Sequence, residues 1–194
     1  LTRGPCRARQ ARSSSGVPPK VELSSRGMNI RIRKAERSDV SVILDLIRAL
    51  AEFEKLSHEV VATEAMLEST LFGENPNAEV LIMEYENGAR WDNAGFALFF
   101  TTYSTFLAKP GIYLEDLFIR PELRSHGFGR KMLQRLAHIA VERGCGRLEW
   151  SVLDWNVRAR EFYENLGARP MGDWTVHRLA GTALGALADE GRPE

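Results

Sequence analysis

The chain has 194 residues, of which 44% are hydrophobic and 27% are charged, a composition typical of one globular domain. Its 26 basic and 26 acidic side chains cancel, which argues against nucleic-acid binding through a general basic field. No apolar run approaches the ~20 residues that cross a bilayer, which excludes a membrane protein. Cys6 and Cys145 form no Cys-x-x-Cys pair, which favours a reduced, intracellular protein, expected in the cytoplasm.

The charge is unevenly distributed along the chain. Residues 1–27 hold six basic side chains and only Glu22 as an acid, so the remainder carries a net charge of −5. This segment is rich in Ser and Pro, has no apolar periodicity and precedes the first methionine, Met28. We expect a disordered basic leader or a non-native extension, with a transit peptide or a functional basic arm as alternatives. The folded domain is expected over 28–180, followed by a tail at 181–194 that begins as a short helix.

Hydrophobic periodicity predicts an α/β fold with an antiparallel meander in the middle of the chain. Ser38 and Thr63 are predicted to cap the first two helices, and Asn87-Gly88 and Asp92-Asn93 are predicted to form turns. The predicted order is strand 28–33, helices 38–53 and 63–72, strands 79–85, 94–102 and 112–120, helix 128–143, strand 147–153, helix 157–166 and strand 174–179.

The predicted strand 112–120 contains two adjacent carboxylates, Glu115 and Asp116, in an otherwise apolar run. A polar pair inside a central strand breaks the local pattern, and such breaks are expected at functional sites. The alternative is that both side chains face water at a strand end. Simple alternation assigns Tyr113, Glu115, Leu117 and Ile119 to one face and Leu114, Asp116, Phe118 and Arg120 to the other.

The next segment opens the helix at 128–143 with Gly127 and Gly129. Glycines allow close approach of another group to the backbone, and the unpaired amides of a helix start favour an anion. Arg124, Arg130 and Lys131 would oppose the bare helix dipole, but they suit a bound phosphate. The pattern is neither a Gly-x-Gly-x-x-Gly nor a P-loop motif, and a simple turn is the alternative.

The helix at 157–166 follows Asn156, which is predicted to be its N-cap. Tyr163 lies ~100° around the helix from the core residue Phe162. A tyrosine in this position has either a packing role or a role in catalysis.

Together these three segments resemble the GNAT superfamily of N-acetyltransferases, and within it the diamine (spermidine/spermine) N-acetyltransferases. The resemblance covers about residues 28–180. Ser125-His126 departs from the Arg-Gly-x-Gly-x-Gly pattern common in that branch. The family motifs correspond here to Arg124-x-x-Gly127-x-Gly129 and Asn156…Phe162-Tyr163-x-x-x-Gly167-Ala168, and the branch shares Leu50-Ala51-Glu52-Phe53-Glu54, Thr102-Tyr103, Tyr113-Leu114-Glu115-Asp116 and Trp155-Asn156.

The resemblance implies the GNAT fold, a mixed and mostly antiparallel central sheet flanked by helices, and acetyl-CoA as the acetyl donor. It implies Tyr163 as the acid that protonates the leaving thiolate and Glu115 as the catalytic carboxylate. The amine is expected to contact Phe53, Glu54, Glu115 and Asp116. It also implies a homodimer. The residues expected to bind acetyl-CoA are Leu117, Phe118, Ile119, Arg124, Ser125, His126, Gly127, Phe128, Gly129, Arg130, Asn156, Val157, Arg158 and Ala159.

The substrate expected from this resemblance is a small polycationic amine: a diamine, a polyamine or a lysine-like amino acid. An amine of pKa ~10.4 must lose a proton before it attacks, and a carboxylate accepts that proton. The alternatives are a protein-lysine or N-terminal acetyltransferase and a non-catalytic acyl-CoA-binding domain. The four histidines show no metal-ligand spacing, so no metal is expected, and no nucleic-acid or membrane partner is expected either.

Overall fold

The computed structural model describes residues 28–191, so the predicted leader at 1–27 lies outside the described residues. These residues fall into two compact units, one ending at Glu149 and one beginning at Trp150. The elements in chain order are β1 (Ile30–Lys34), α1 (Val40–Glu54), α2 (Glu64–Phe72), β2 (Glu79–Asn87), β3 (Arg90–Ser104), β4 (Lys109–Ile119), α3 (Phe128–Glu142), β5 (Leu148–Trp150), α4 (Val157–Glu164) and α5 (Gly181–Glu190).

The strands form one five-stranded sheet in the order β1-β2-β3-β4-β5. β1, β2, β3 and β4 pair antiparallel in sequence, as the predicted meander requires. The turn at Asn87-Gly88 is confirmed, with Gly88 in the left-handed region at φ +65°. The turn predicted at Asp92-Asn93 is wrong, because β3 begins at Arg90 and both residues pair with β2.

The predicted division of β4 into two alternating faces is also wrong, because the strand contains a β-bulge. Asp116 pairs with Leu98, whereas Leu114 pairs with the next residue of β3, Phe99, so Glu115 is the extra residue. Tyr113, which pairs with Phe100, therefore shares a face with Asp116 and Phe118. The bulge moves Leu114 to the opposite face, which it shares with Leu117 and Ile119.

Two helices cover the face of the sheet that carries Phe118. The apolar side of α1 was predicted correctly: Ile43 and Leu44 are buried, and Ile47 and Leu50 pack against the same core. α2 begins at its predicted cap, Thr63, whose hydroxyl oxygen accepts a hydrogen bond from the amide of Met66. α1 has Asp39 rather than Ser38 at its N-cap, because a 3-10 turn at 37–39 precedes it.

The opposite face packs against α3, whose buried side chains include Met132 and Leu136. Alternation along β2 and β3 directs Leu81, Ala97 and Phe99 to this side of the sheet. All three are buried. The first unit therefore has an apolar core on each face of the sheet.

A network of buried charges joins β1, β2 and the start of α1. The Arg33 guanidinium donates hydrogen bonds to both carboxylate oxygens of Asp39, at 2.7 and 2.8 Å, and to Glu84 at 3.2 Å. Burial raises the pKa of the Glu84 carboxyl, but hydrogen bonds from Arg31 and Arg33 outweigh it and hold the pKa below its usual range. The bond from Arg33 likewise lowers the pKa of Asp39.

In the second unit, α4 forms as predicted and Asn156 caps it by accepting a hydrogen bond from the Ala159 amide. The strand predicted at 174–179 is wrong: these residues make no strand pairing. Its alternating apolar side chains are exposed, Trp174 to 71% and Val176 to 83%, so the pattern is not matched by burial. α5 is the short helix expected at the start of the tail.

Candidate active site

A cavity of about 300 Å³ opens between the C-terminal half of α1, the segment that connects α1 to α2, and β4. Its wall is apolar apart from three carboxylates, those of Glu54, Glu59 and Asp116. No Lys, Arg or His among residues 28–191 lines it. The apolar lining consists of Ile47, Leu50, Ala51, Leu56, Val60, Val61 and Ala62.

Asp116 is the most perturbed carboxyl of this cavity. Burial, together with the negative charges of Glu115 and Glu54, raises the pKa of Asp116 from 3.8 to about 6. Burial also raises the pKa of Glu54, the last residue of α1. The charge of Glu54 disfavours ionisation of Asp116, and a cation in this apolar cavity would offset that penalty.

Glu115, expected to be the catalytic carboxylate, lies at the bulge and is exposed, and it does not line the cavity. Its charge nevertheless acts on Asp116. Of the residues expected to contact the amine, Glu54 and Asp116 share the cavity, and Phe53 is half-buried beside Glu54.

The segment after β4 has the backbone of an anion-binding loop. Ser125 and Gly127 adopt left-handed conformations, with φ of +68° and +77°, and Gly127 is the N-cap of α3. A Cβ added to Gly127 would meet open space, so the loop is accessible at this point. The first amides of α3, from Phe128 onward, have no acceptor within the helix, and Arg130 is exposed beside them. This arrangement fits a diphosphate group.

His126, in the same loop, contacts neighbouring residues of the chain. His126 Nδ1 lies 2.8 Å from the carbonyl oxygen of Arg124, and its ring is 5.9 Å from that of Phe128. Gly129 is half-buried in the first turn of α3. At the end of β4, Leu117 is half-buried, whereas Phe118 and Ile119 are buried.

The second unit carries Tyr163 on α4. Its half-buried ring packs against Trp150 and Phe162, with ring centroids 4.9 and 5.3 Å apart. Val157 and Arg158 are exposed in the first turn of this helix, and Ala159 is half-buried.

Sequence patterns did not identify the segment between α1 and α2 as part of the site. Glu59, Val60 and Val61 line the cavity, yet Glu59 ends a single 3-10 turn, Val60 and Val61 belong to no helix or strand, and the three follow no periodic pattern. The signal that was available is the composition of the segment, in which apolar residues and an acid occur together after the end of a helix.

Among residues 28–191, no group of three or more His, Cys, Asp or Glu side chains could hold a metal ion. Within the same residues, no helix is both long and apolar enough to span a membrane.

Comparisons with known proteins agree with this architecture. Residues 45–168 match the model of the acetyltransferase (GNAT) family. The chain is 37% identical over 210 residues to an L-ornithine N5-acetyltransferase from Arabidopsis thaliana, covering 87% of this chain and 92% of that protein. It is 38% identical over 166 residues to thialysine N-epsilon-acetyltransferase from Bos taurus, covering 82% and 97%.

The fold is also similar to that of an integron cassette protein from the mobile metagenome of V. cholerae. The TM-score is 0.67 at 24% sequence identity, and the match covers 84% of this chain and 99% of the other. At this identity, the similarity supports the fold alone.

The raised pKa of Asp116 predicts a pH-dependent gain in stability for Asp116→Asn. A folded-state pKa of about 6, above the value of 3.8 for a free side chain, means that the ionised carboxylate destabilises the folded state. The penalty is absent well below pH 4, grows as pH rises from about 4 to about 6, and levels off above pH 6 at about 3 kcal/mol. The free energy of unfolding of Asp116→Asn minus that of wild type should therefore rise between pH 4 and pH 7.5 in urea titrations. A difference that does not change with pH would contradict this.

Proposed function

The chain belongs to the GNAT family of acetyltransferases, and from this premise we propose that it transfers the acetyl group of acetyl-CoA to a primary amine of a small, cationic, aliphatic substrate. The observation that supports this most is the apolar cavity that contains Glu54 and Asp116. The carboxylates attract an ammonium group, and the apolar wall suits the methylene chain that carries it.

The relatives narrow the proposed substrate class. Ornithine and thialysine, named in two of them, are amino acids with a primary amine at the end of a flexible side chain. A substrate of this shape would place its side-chain amine in the cavity. Because the described lining consists of carboxylates and apolar side chains, its α-carboxylate would remain outside. A diamine or polyamine would make the same interactions with the carboxylates and the apolar wall of the cavity.

The proposed chemistry is direct transfer. The substrate ammonium gives a proton to Asp116, whose pKa of about 6 leaves it ionised at neutral pH and able to accept that proton. The free amine then forms a bond to the acetyl carbon as the carbon–sulfur bond breaks. The nitrogen releases its second proton to solvent and the leaving thiolate gains one, so that the products are the amide and free CoA. Glu54 holds the cation in place, and Glu115, exposed at the bulge, acts on the reaction by raising the pKa of Asp116. Acetyl-CoA supplies the acetyl group.

Binding of the donor is proposed at residues 124–130 and the start of α3. A diphosphate would accept hydrogen bonds from the backbone amides and face the positive end of the helix dipole, with Arg130 beside it. Leu117 and Ile119 are proposed to offer backbone groups to the pantetheine arm, and Asn156 to Ala159 to border it. A homodimer, implied by the family resemblance, stays a prediction.

The test of this function is release of free thiol from acetyl-CoA by the purified protein, with a panel of amines. Ornithine, lysine, thialysine and spermidine should be acetylated at a terminal amine, as mass spectrometry of the products would show. Acetylation of peptide lysines alone would favour a protein acetyltransferase. Binding of acetyl-CoA without turnover on any amine would contradict an enzyme of small amines.

Variants of the adjacent carboxylates identify the base. Asp116→Asn should lower kcat/KM by about 10²–10⁴-fold and remove the acidic limb of its pH profile near pH 6. Glu115→Gln should keep the limb but move it to lower pH, because one charge that raises the pKa of Asp116 is gone. Glu74→Gln, which removes an exposed carboxylate beyond α2, is the control and should match wild type. The reverse outcome, with the limb lost in Glu115→Gln, would make Glu115 the base.

Gly127 has a matched control for its role in donor binding. Gly127→Ala and Gly144→Ala both place a Cβ at a left-handed residue that faces open space, with φ of +77° and +66°. Each should lose about 1–2 kcal/mol of stability. Only Gly127→Ala should also weaken acetyl-CoA binding, measured by calorimetry, because its Cβ would occupy the accessible side of the loop. Equal affinities in the two variants would contradict the proposed donor site.

Tyr163 is proposed as the acid that protonates the departing thiolate sulfur. Tyr163→Phe keeps the ring that packs against Trp150 and Phe162 and removes only the hydroxyl. The single-turnover rate should fall by about 10²-fold or more, with little change in the dissociation constants of acetyl-CoA and the amine. An unchanged single-turnover rate would limit Tyr163 to packing.

A further inference from the structure

The side chain of Arg124, at the start of the proposed donor loop, lies across two aromatic rings. Its guanidinium carbon is 4.1 Å from the centroid of the Phe53 ring and 5.6 Å from that of Phe118. Its Nε donates a hydrogen bond of 2.9 Å to the carbonyl oxygen of Ile119. Guanidinium groups bind ring faces well, so these contacts define where the side chain lies.

The two rings come from the elements that carry the cavity carboxylates. Phe53 precedes Glu54 in the last turn of α1, and Phe118 shares a face of β4 with Asp116. The side chain of Arg124, the first residue of the donor loop, therefore lies against the two elements that carry the cavity carboxylates. The Phe118 ring is buried in the core, whereas the Phe53 ring is half-buried. Of the two ring contacts of Arg124, the one with Phe53 is the contact made by α1.

The loop needs such an anchor. Ser125 is a non-glycine residue in the left-handed region, and Gly127 follows it in the same region. This backbone is strained at Ser125, and the positive end of α3 repels a guanidinium. The contacts of Arg124 with Phe53 and with the Ile119 carbonyl restrict the residue directly before Ser125.

We propose that Phe53 is a positioning residue for the acetyl donor: it fixes Arg124, and through Arg124 it holds the loop at 124–127 in the conformation that binds a diphosphate. Phe53 acts without touching the diphosphate. This rests on the proposed function, because acetyl-CoA is the ligand whose affinity reports the effect.

The first experiment measures the dissociation constant of acetyl-CoA by calorimetry on the full chain. Phe53→Leu, which keeps the apolar bulk and loses the ring face, should weaken binding by about threefold to tenfold. Phe53→Tyr, which keeps the ring, should bind like wild type. Phe72→Leu is the control: Phe72 is also half-buried, at the end of α2, and its loss should lower the melting temperature without changing the affinity.

The second experiment repeats Phe53→Leu in an Arg124→Gln background. If Phe53 acts through Arg124, it should cause no further loss there, and the two single effects should not add. Additive losses, an affinity of Phe53→Leu equal to wild type, or failure of Phe53→Tyr to restore binding would each overturn the proposal. Phe53→Met replaces Phe53→Leu if the latter melts below the Phe72→Leu control.

The same measurements separate this inference from the proposed function. A wild-type protein that does not bind acetyl-CoA would contradict the proposed donor, and the inference with it. A wild-type protein that binds acetyl-CoA and acetylates amines, with Phe53→Leu unaffected, would overturn only the role of Phe53.

Discussion

The extra residue at Glu115 is the constraint on which the site depends. A central strand buried on both faces has no place for two consecutive carboxylates, because alternation directs one into each core. The bulge resolves this conflict. Asp116 stays in register with Leu98 and faces the cavity beside α1, while Glu115 leaves the alternation and reaches solvent. Without the bulge, Glu115 would share the face of Leu117 and Ile119 and lie beside the buried Ile119, where its charge would cost free energy.

Two groups of carboxylates in the first unit show that neighbouring charges decide whether the pKa of a buried carboxyl is raised or lowered. Asp39 and Glu84 are buried, yet their pKa values are lowered, because Arg33 donates hydrogen bonds to both. Asp116 has carboxylates as its charged neighbours, and its pKa is raised to about 6. The first arrangement is satisfied within the chain and stabilises the junction of β1, β2 and α1. Among the described residues, the second leaves Asp116 with a raised pKa that a bound cation would lower, and such perturbed groups are typical of functional sites.

The sequence predicted the order of elements well and their local geometry less well. Strong periodicity identified α1, α3 and the meander, and the caps Thr63 and Asn156 were correct because their hydrogen bonds are local. The alternation of β4 failed because a bulge depends on pairing with β3, which the strand's own sequence does not show. The strand at 174–179 failed because alternation alone supplies neither a partner strand nor burial.

Part of the candidate site could likewise be predicted from the sequence, and part could not. Motifs proposed to bind through backbone groups, such as the one with Gly127 and Gly129, are visible in sequence because glycine itself is the signal. The cavity is not visible, because it is assembled from the aperiodic segment after α1 and from a strand more than fifty residues later. The register of β4 decides whether Glu115 or Asp116 faces that cavity. The sequence therefore predicted that the pair is functional, but it could not show which of the two carboxylates lies in the cavity.

The two ligands proposed for this enzyme have opposite charge, and the ends of two helices match them. α1 ends at Glu54, where the negative end of its dipole adds to the field of the carboxylates and favours a cation. α3 begins at Phe128, where the positive end of its dipole favours an anion. Arg124 lies between them, with its guanidinium on Phe53 and its backbone at the start of the loop. If the proposed sites are correct, the contacts of Arg124 set the separation of the two fields, and with it the distance between the bound amine and the acetyl carbon.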